Sequence, residues 1–249
     1  MKQNPESKYV IIVPVYKDKL THNEKLVFEN LFELYNKNQI SIICPKHLHL
    51  PVQLQSLNTE RFDDYFFSSI SGYNRLLLSF EFYKRFEAHR FILIHQLDAY
   101  LFSDNLAFWC DQNYDYIGAP WLRDESFLAK LFRSKKVKDR EAIFNKVGNG
   151  GLSLRKVNSF LNFIQDHKSL IDLNSHHKLY GIEDVFWSLV APKYASFKIP
   201  DVKTAAGFSL DRKPKLGLKL NNFKLPFGCH GFEKKKTKHF WKNYIKGLE

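Results

Sequence analysis

Cysteine is scarce in this chain, and long apolar runs are lacking. The three cysteines, Cys44, Cys110 and Cys229, are odd in number and far apart, which argues against a disulfide framework or a structural zinc site, so we expect free thiols. No stretch approaches the roughly 20 apolar residues of a membrane span, and residues 1–10 lack the apolar centre of a secretory signal. We therefore expect a cytoplasmic protein.

The usual glycine-rich phosphate loops are also missing. The segment "VGNGGLSLRKV", residues 147–157, matches neither the GxGxxG nor the GxxxxGK[ST] order, so a nucleotide-binding dehydrogenase or a P-loop enzyme lacks support. The sequence contains no internal repeat and no linker rich in proline or glycine. Its 249 residues, 44% of them hydrophobic, suit a single domain over residues 1–249.

Positive charge is abundant and unevenly distributed. The formal net charge is +12, and residues 211–249 contain eleven Lys or Arg against three Asp or Glu, which predicts a basic C-terminal tail. Nucleic acid, an anionic membrane leaflet and phosphorylated substrates all fit by sign, and so does a solvated basic face. The segment "KKKTKHFWKNYIK", residues 234–246, interleaves lysines with aromatic side chains, which favours peripheral contact with an anionic membrane.

Strand and helix patterns alternate along the chain. This alternation predicts an α/β protein with an open, mostly parallel sheet and helices on both faces. A capping box from Thr21 to Glu24 precedes one of the predicted helices. Residues 122–147 break the rhythm, which predicts either a mobile excursion over the sheet edge or a charged surface helix. The predicted strands are residues 9–16, 39–45, 91–95 and 114–121, and the predicted helices are residues 26–35, 73–86 and 180–190.

One polar segment follows a predicted strand, and another precedes residues where a strand or a helix could start. In open α/β sheets, ligands collect beyond the carboxyl ends of the strands. Asp98 follows the strand at residues 91–95, where it could hold a divalent cation with Gln96 beside it, or could be a turn residue that faces solvent. The three glycines around Asn149 allow close backbone approach to a ligand, although Asn-Gly is also typical of a hairpin turn.

Two further segments carry titratable side chains. Glu183 and Asp184 open a predicted helix, where acids complement the helix dipole, or where one of them could act as a general base. His230 lies between glycines in a predicted loop. Most histidines are not ligands, but a histidine in this setting could reach a metal or a diphosphate.

In their order and spacing, these segments resemble the successive motifs of a family that is catalogued as a domain of unknown function and is related to GT-A-type glycosyltransferases. The resemblance extends from about residue 9 to about residue 232. It implies a GT-A-like fold that transfers a sugar from a nucleotide-sugar donor to a glycan or lipid-linked acceptor, in surface polysaccharide or lipopolysaccharide biosynthesis. The matching segments are "SGYNRLLLSFEFY", "QLDAYLF", "YDYIGAPW", "GNGGLSLRKV", "GIEDVFW", "AAGFSLD" and "LPFGCHGF".

The resemblance implies a metal position with one departure from the family pattern. Asp98 falls where such enzymes have an Asp-x-Asp motif, but the chain reads Asp98-Ala99-Tyr100, so the second acid is missing. Gln96 and His230 would then complete a Mn²⁺ or Mg²⁺ site with Asp98. The missing acid argues against ordinary metal dependence.

The remaining roles are implied in the same way. The catalytic base would be Glu183 or Asp184, and an inverting mechanism is favoured because a single base suffices for it. A cytoplasmic enzyme at the inner membrane face, with no nucleic-acid partner, is the expected setting. The residues implied to contact the donor are Asn74, Arg75, Gln96, Asp98, Asn149, Gly150 and Gly151.

Two other classes of protein stay open. A basic binding module for nucleic acid or anionic lipid accounts for the charge, but it gives no reason for Asn149, Glu183 and His230 to stand at the ends of predicted elements. An inactive relative of the transferases is favoured by the missing second acid.

Overall fold

The protein is described by a computed structural model that covers residues 7–123 and 141–249. The strands of these ranges are Ser7–Pro14 (β1), Ile40–Pro45 (β2), Asn58–Phe62 (β3), His89–His95 (β4), Ala99–Leu101 (β5), Tyr116–Ile117 (β6), Leu152–Lys156 (β7), Ser209–Leu210 (β8) and Gly228–His230 (β9). The helices are His22–Leu34 (α1), Ile70–Leu77 (α2), Phe80–Lys84 (α3), Leu106–Asp111 (α4), Val157–Asp166 (α5), Lys168–Asn174 (α6), Glu183–Val185 (α7), Val202–Phe208 (α8), Pro214–Leu220 (α9) and Lys238–Trp241 (α10). A π-helical turn, Phe186–Val190, continues α7.

The strands form one large and one small sheet. The large sheet has the order β3-β2-β1-β4-β7-β6, and the small one has the order β5-β9-β8. Strands β1 to β4 pair in parallel, whereas β7 runs antiparallel to both of its neighbours. The apolar runs of β1, β2 and β4 suit strands that are covered on both faces.

Helices cover both faces of the large sheet, as predicted. Side chains of β1 alternate between two core layers, with Ile11 and Val13 in one and Val10 and Ile12 in the other. Helices α1, α4, α8 and α9 pack on the first layer, and α2, α3, α5 and α6 pack on the second. The predicted fold class, a mostly parallel α/β sheet with helices on both faces, is therefore confirmed.

Element boundaries differ from the prediction in several places. The capping box of Thr21 and Glu24 is present at the start of α1. The helix predicted over residues 73–86 is two helices, because Ser79 accepts a hydrogen bond from the Phe82 N–H and starts a new helix, α3. The strand predicted over residues 114–121 pairs only as β6 and as an isolated bridge between Pro120 and Val147.

The excursion predicted over residues 122–147 falls mainly on residues 124–140, which lie outside the described residues. After this gap, the described chain resumes with a 3-10 helix, Glu141–Ile143. Further on, the Trp121 N–H donates to the Lys146 carbonyl and the Asn145 N–H donates to the Trp121 carbonyl, each at 2.9 Å. Residues 145–147 therefore return alongside residues 120–121.

The basic C-terminal region packs against the rest of the protein. Trp241, Ile245 and Leu248 are buried in the same core layer as α1. Two of the apolar residues interleaved with the lysines, Trp241 and Ile245, are thus unavailable to a lipid surface. No helix within residues 7–123 and 141–249 has the length and apolar character to cross a membrane. The three cysteines are buried free thiols.

Candidate active site

A cleft of about 800 Å³ opens at the carboxyl ends of β1 and β4. This is the edge at which open α/β sheets bind ligands. Every residue predicted to belong to the site, apart from Arg75, lines it. The predicted residues in the cleft are Asn74, Gln96, Asp98, Asn149, Gly150, Gly151, Glu183, Asp184 and His230.

The antiparallel direction of β7 explains how the glycine-rich loop reaches this edge. The first residue of β7, Leu152, pairs with the last residue of β4, His95. The loop before β7 therefore lies beside the segment after β4, and the Gln96 N–H donates a 2.8 Å hydrogen bond to the Gly151 carbonyl. Two segments far apart in sequence meet because one strand ends where the other begins.

Asp98 and His230 form an ion pair at one end of the cleft, which we call the cation end. His230 Nε2 lies 3.0 Å from Asp98 Oδ1 and 3.1 Å from Gln96 Oε1, and its Nδ1 lies 3.7 Å from Asp211 Oδ1. Burial alone would lower the pKa of His230, but the Asp98 and Asp211 carboxylates outweigh it and raise that pKa to about 9. Burial would likewise raise the pKa of Asp98, but His230 keeps it below its ordinary value.

His230 lies in a strand, not in the predicted loop. It ends β9, where it pairs with Ala99 of β5 and so stands next to Asp98. The flanking glycines serve packing and backbone geometry: a Cβ on Gly228 would lie 2.6 Å from the Leu152 side chain, and Gly231 has a φ of +69°. In the sequence, these two glycines suggest a loop. In the structure, they are needed because the short strand β9 is crowded and the chain turns sharply after it.

The donor atoms at the cation end suit a hard divalent cation. A carboxylate oxygen of Asp98 and an amide oxygen of Gln96, ligand types of Mn²⁺, lie within hydrogen-bonding distance of His230 Nε2. The His230 nitrogen would ligate only after losing the proton that its raised pKa retains. Among the described residues, no three His, Cys, Asp or Glu side chains form a metal cluster, so Gln96 would have to contribute. Tyr100, which follows Asp98 where a second acid is expected, packs instead against Phe102 and Phe232.

Glu183 is held by a buried arginine at the other end of the cleft, which we call the acid end. Arg155 Nη1 lies 2.5 Å from Glu183 Oε1, and both side chains are almost fully buried. The guanidinium also donates to Ser153 Oγ, at 3.0 and 3.1 Å, and to the Tyr83 hydroxyl, at 2.9 Å. Glu183 therefore serves as the counter-ion of Arg155. Burial raises the pKa of the Glu183 carboxyl to about 7, against the lowering effect of the Arg155 guanidinium, and Asp184 adds to the rise.

Asp184 is the less buried of the two acids. Its Oδ2 accepts a 3.2 Å hydrogen bond from the Gly150 N–H, and its Oδ1 is buried without a hydrogen-bond partner among the described residues. Burial raises the pKa of this carboxyl above its ordinary value, against the lowering effect of the Gly150 and Val185 N–H groups. A raised pKa makes a carboxylate a stronger base.

The glycine-rich loop spans the space between the two ends. A Cβ on Gly151 would lie 2.1 Å from His230 Nε2, and a Cβ on Gly150 would lie 2.8 Å from Glu183 Oε2. Asn149 has a positive φ of 69°, and its side-chain oxygen accepts a 3.0 Å hydrogen bond from the Gly151 N–H. Consecutive glycines thus allow the cation end and the acid end to approach the same short stretch of backbone.

A family model described as "Protein of unknown function (DUF5672)" matches residues 56–230, which is more than half of the chain. The protein belongs to the DUF5672 family. The match spans both ends of the cleft, from α2 through His230. No curated protein matches the sequence.

The fold of this DUF5672 protein is similar to that of solved glycosyltransferases. One is a glycosyltransferase involved in the glycosylation of the major capsid of PBCV-1, with 9% identity, a TM-score of 0.50, and coverage of 93% of this chain and 96% of that one. The galactosyltransferase LgtC has 11% identity and a TM-score of 0.54 over 88% of this chain and 86% of its own. Mouse xyloside xylosyltransferase 1 has 9% identity and a TM-score of 0.54 over 90% of this chain and 97% of its own. At these identities the likeness establishes the GT-A-type fold.

Arg75 lies apart from the other predicted site residues of the DUF5672 protein. Its guanidinium contacts the Tyr65 hydroxyl and lines a second groove, formed with α3, α5 and α6. Its neighbour Asn74 lines the cleft, because successive residues of a helix point about 100° apart.

Sequence reasoning assigned no role to Asp211 and Lys234, which complete the cation end. Buried Asp211 faces His230 Nδ1, and Lys234 Nζ lies 3.2 Å from Asp211 Oδ1. Asp211 is the last residue of the quoted segment "AAGFSLD", so its position in that motif was the available signal. Lys234 is one of three consecutive lysines, and nothing in the sequence distinguishes it from the other two.

Proposed function

We propose that this DUF5672 protein is a glycosyltransferase that moves a sugar from a nucleotide-sugar donor to a hydroxyl of a glycan or lipid-linked acceptor. The observation that carries the proposal is the cleft itself. Donor atoms that suit a cation and the Asp184 carboxylate lie at its two ends, joined by Asn149, Gly150 and Gly151. The GT-A-type fold supports the same reading.

The cation end is suited to the diphosphate of the donor. Asp98, His230 and Gln96 would hold Mn²⁺ or Mg²⁺, which when bound would neutralise the charge that grows on the departing diphosphate. Asn149 to Gly151 would lie against the donor sugar, and Asn74 on the nucleotide side of the cleft.

The acid end is suited to the acceptor. The Asp184 carboxylate would take the proton of the acceptor hydroxyl as the hydroxyl oxygen bonds to the anomeric carbon, while the bond from that carbon to the diphosphate oxygen breaks. The leaving group keeps the electron pair of that bond. A single displacement of this kind inverts the anomeric configuration. Glu183 would act as a positioning residue, because its pairing with Arg155 fixes the start of α7 and with it Asp184.

Thermal shift against a panel of nucleotide sugars, followed by a transfer or hydrolysis assay on any that bind, tests the proposal. At least one donor should raise the melting temperature. Asp184→Asn should then lower turnover by roughly 100- to 10,000-fold, the range for losing a general base, with an unchanged melting temperature. The exposed Asp172→Asn serves as the matched control and should keep full turnover.

Three outcomes would contradict parts of this assignment. If no nucleotide sugar stabilises the protein, donor binding is wrong. Donor binding without turnover would instead indicate an inactive relative of the transferases. Full turnover by Asp184→Asn would exclude Asp184 as the base.

A further inference from the structure

An exposed surface that is both basic and apolar lies on α9 and on the turn after it. Its apolar side chains are unusually accessible: Phe223 is 76% exposed, Leu225 43% and Leu216 36%. The segment from residue 212 to residue 232 contains no Asp or Glu, so nothing within it offsets the lysines. We call this the α9 surface, and it consists of Lys213, Lys215, Leu216, Lys219, Phe223, Lys224 and Leu225.

The backbone on both sides of α9 adopts an unfavourable conformation. Positive φ outside glycine occurs at six described residues, and four of these are asparagines, which tolerate it. The two exceptions are Lys213, with a φ of 59°, and Phe223, with a φ of 58°. For a bulky residue such as phenylalanine this conformation carries a steric cost, which must be offset by the surrounding structure.

The turn is held by backbone and asparagine hydrogen bonds, without burial of Phe223. The Phe223 N–H donates to the Leu218 carbonyl at 2.7 Å, and the Asn221 side-chain amide donates to the Lys224 carbonyl at 2.9 Å. The ring itself points into solvent and adds nothing to the core. A strained turn therefore presents a large apolar side chain outward among lysines.

We propose that the α9 surface docks on the anionic head groups of a lipid bilayer, with Phe223 and Leu225 entering the interface. Lysines contribute attraction to an anionic leaflet, and exposed aromatic and aliphatic side chains gain by leaving water at the same boundary. Nucleic acid is a poorer match for this chemistry. Its phosphates would also attract the lysines, but a nucleic-acid backbone offers no apolar layer for the exposed Leu225 side chain to enter.

The α9 surface follows a cleft residue directly in the chain. Arg212 lines the cleft, and the next residue, Lys213, begins the surface. Docking on a bilayer would favour a lipid-linked acceptor, a consequence that rests on the proposed function, whereas the docking itself does not.

Co-sedimentation of the full chain with vesicles tests the docking without any assay of turnover. The probes are phosphatidylcholine vesicles and vesicles in which part of the lipid is phosphatidylglycerol. We expect binding to the anionic vesicles, weakened by salt. Replacing Lys215, Lys219 and Lys224 with Ala should reduce that binding by roughly 100-fold, because each lysine near the membrane is worth about fivefold.

Matched variants test whether binding depends on the α9 surface itself or only on the number of exposed apolar and charged side chains. Phe223→Ser with Leu225→Ser should weaken vesicle binding about tenfold or more, from the loss of apolar insertion. Val52→Ser with Leu173→Ser removes two side chains of equal or greater exposure elsewhere and should leave binding unchanged. Lys25, Lys178 and Lys193, all exposed outside the α9 surface, provide the alanine control for charge.

The proposal is overturned if the α9 variants, shown to be folded by circular dichroism, bind anionic vesicles as tightly as the unchanged chain. It is also overturned if neutral vesicles bind equally well, or if the lysine variants lose affinity for DNA or RNA while vesicle binding stays. None of these results bears on whether a nucleotide sugar is bound. A failure of docking is thus distinguishable from a failure of the proposed function.

Discussion

Charged side chains are paired differently at the two ends of the cleft. At the cation end, His230 stands between the carboxylates of Asp98 and Asp211, and the Asp98–His230 pair is partly accessible from the cleft. At the acid end, Arg155 and Glu183 neutralise each other in the core, and Asp184 Oδ1 lacks a hydrogen-bond partner among the described residues. The first ion pair borders the open cleft, whereas the second lies in the core.

Removing the arginine at the acid end is the largest expected perturbation. Arg155→Met should lower the free energy of unfolding by about 3–5 kcal/mol, because it leaves the buried Glu183 carboxylate unpaired. Urea denaturation measures the loss. Arg85→Met, which removes half-exposed ion pairs with Glu60 and Glu81, should cost no more than about 1 kcal/mol.

A second substitution sharpens this test. When Arg155→Met is combined with Glu183→Gln, both charges are gone, and part of the lost stability should return. If the losses of unfolding free energy in the two single variants simply add in the double variant, Arg155 and Glu183 are not coupled. The acid end would then contain no mutually neutralising pair.

The pH dependence of stability tests the buried histidine His95, which lies near the cation end. His95, at the end of β4, is fully buried with neither ring nitrogen hydrogen-bonded among the described residues. Burial lowers its pKa from 6.5 to about 4, while nearby Asp98 works against this change and His230 adds to it. The folded state therefore favours the neutral ring, so stability is present above pH 6.5 and is lost as the pH falls through about 4.

The expected loss over that interval is about 3 kcal/mol for His95 alone. His95→Leu should flatten the dependence of the unfolding free energy on pH by this amount between pH 7 and 4. His239→Leu, which removes an exposed histidine, should keep the original slope. Equal slopes for both variants would show that His95 does not titrate as its burial requires.

Adding a methyl group at Gly151, between the two ends of the cleft, should have a smaller effect on stability and should mainly lower metal affinity. In Gly151→Ala the new Cβ would have to displace the His230 ring, so we expect Mn²⁺ affinity to fall by roughly 10- to 100-fold, as measured by calorimetry. The same variant should cost about 1–3 kcal/mol of stability. Gly207→Ala is the matched control, because its Cβ would lie 3.4 Å from the nearest atom, Asn221 Oδ1. This variant should lower neither Mn²⁺ affinity nor stability.

Much of the architecture could be predicted because it depends on local patterns. The apolar runs of β1, β2 and β4 indicate strands covered on both faces, and Thr21 with Glu24 marks the start of α1. The site could be located for a related reason. Polar residues at the ends of parallel strands must share one edge, which brings Gln96 and Asp98 into the cleft.

What could not be predicted depends on pairing between distant segments. Nothing near Glu183 in the sequence indicates that Arg155 will neutralise it, so the two acids of the pair look equivalent. His230 looks like a loop residue, because its strand is only three residues long and forms through contacts with β5 and β8. Lys213 and Phe223 carry no local sign that their backbone will turn left-handed.

The buried arginine also has a consequence for how the sheet assembles. Arg155 lies opposite Ile92 in the pairing of β7 with β4, and it faces the layer that holds Tyr83 and Glu183. A shift of one residue between these strands would turn every side chain of β7 to the other layer, where the guanidinium would meet the apolar packing of α1 and α8. Misaligned pairings of β4 and β7 are thus penalised by an unpaired charge. The arginine that anchors the acid end also selects the correct alignment of the central strands.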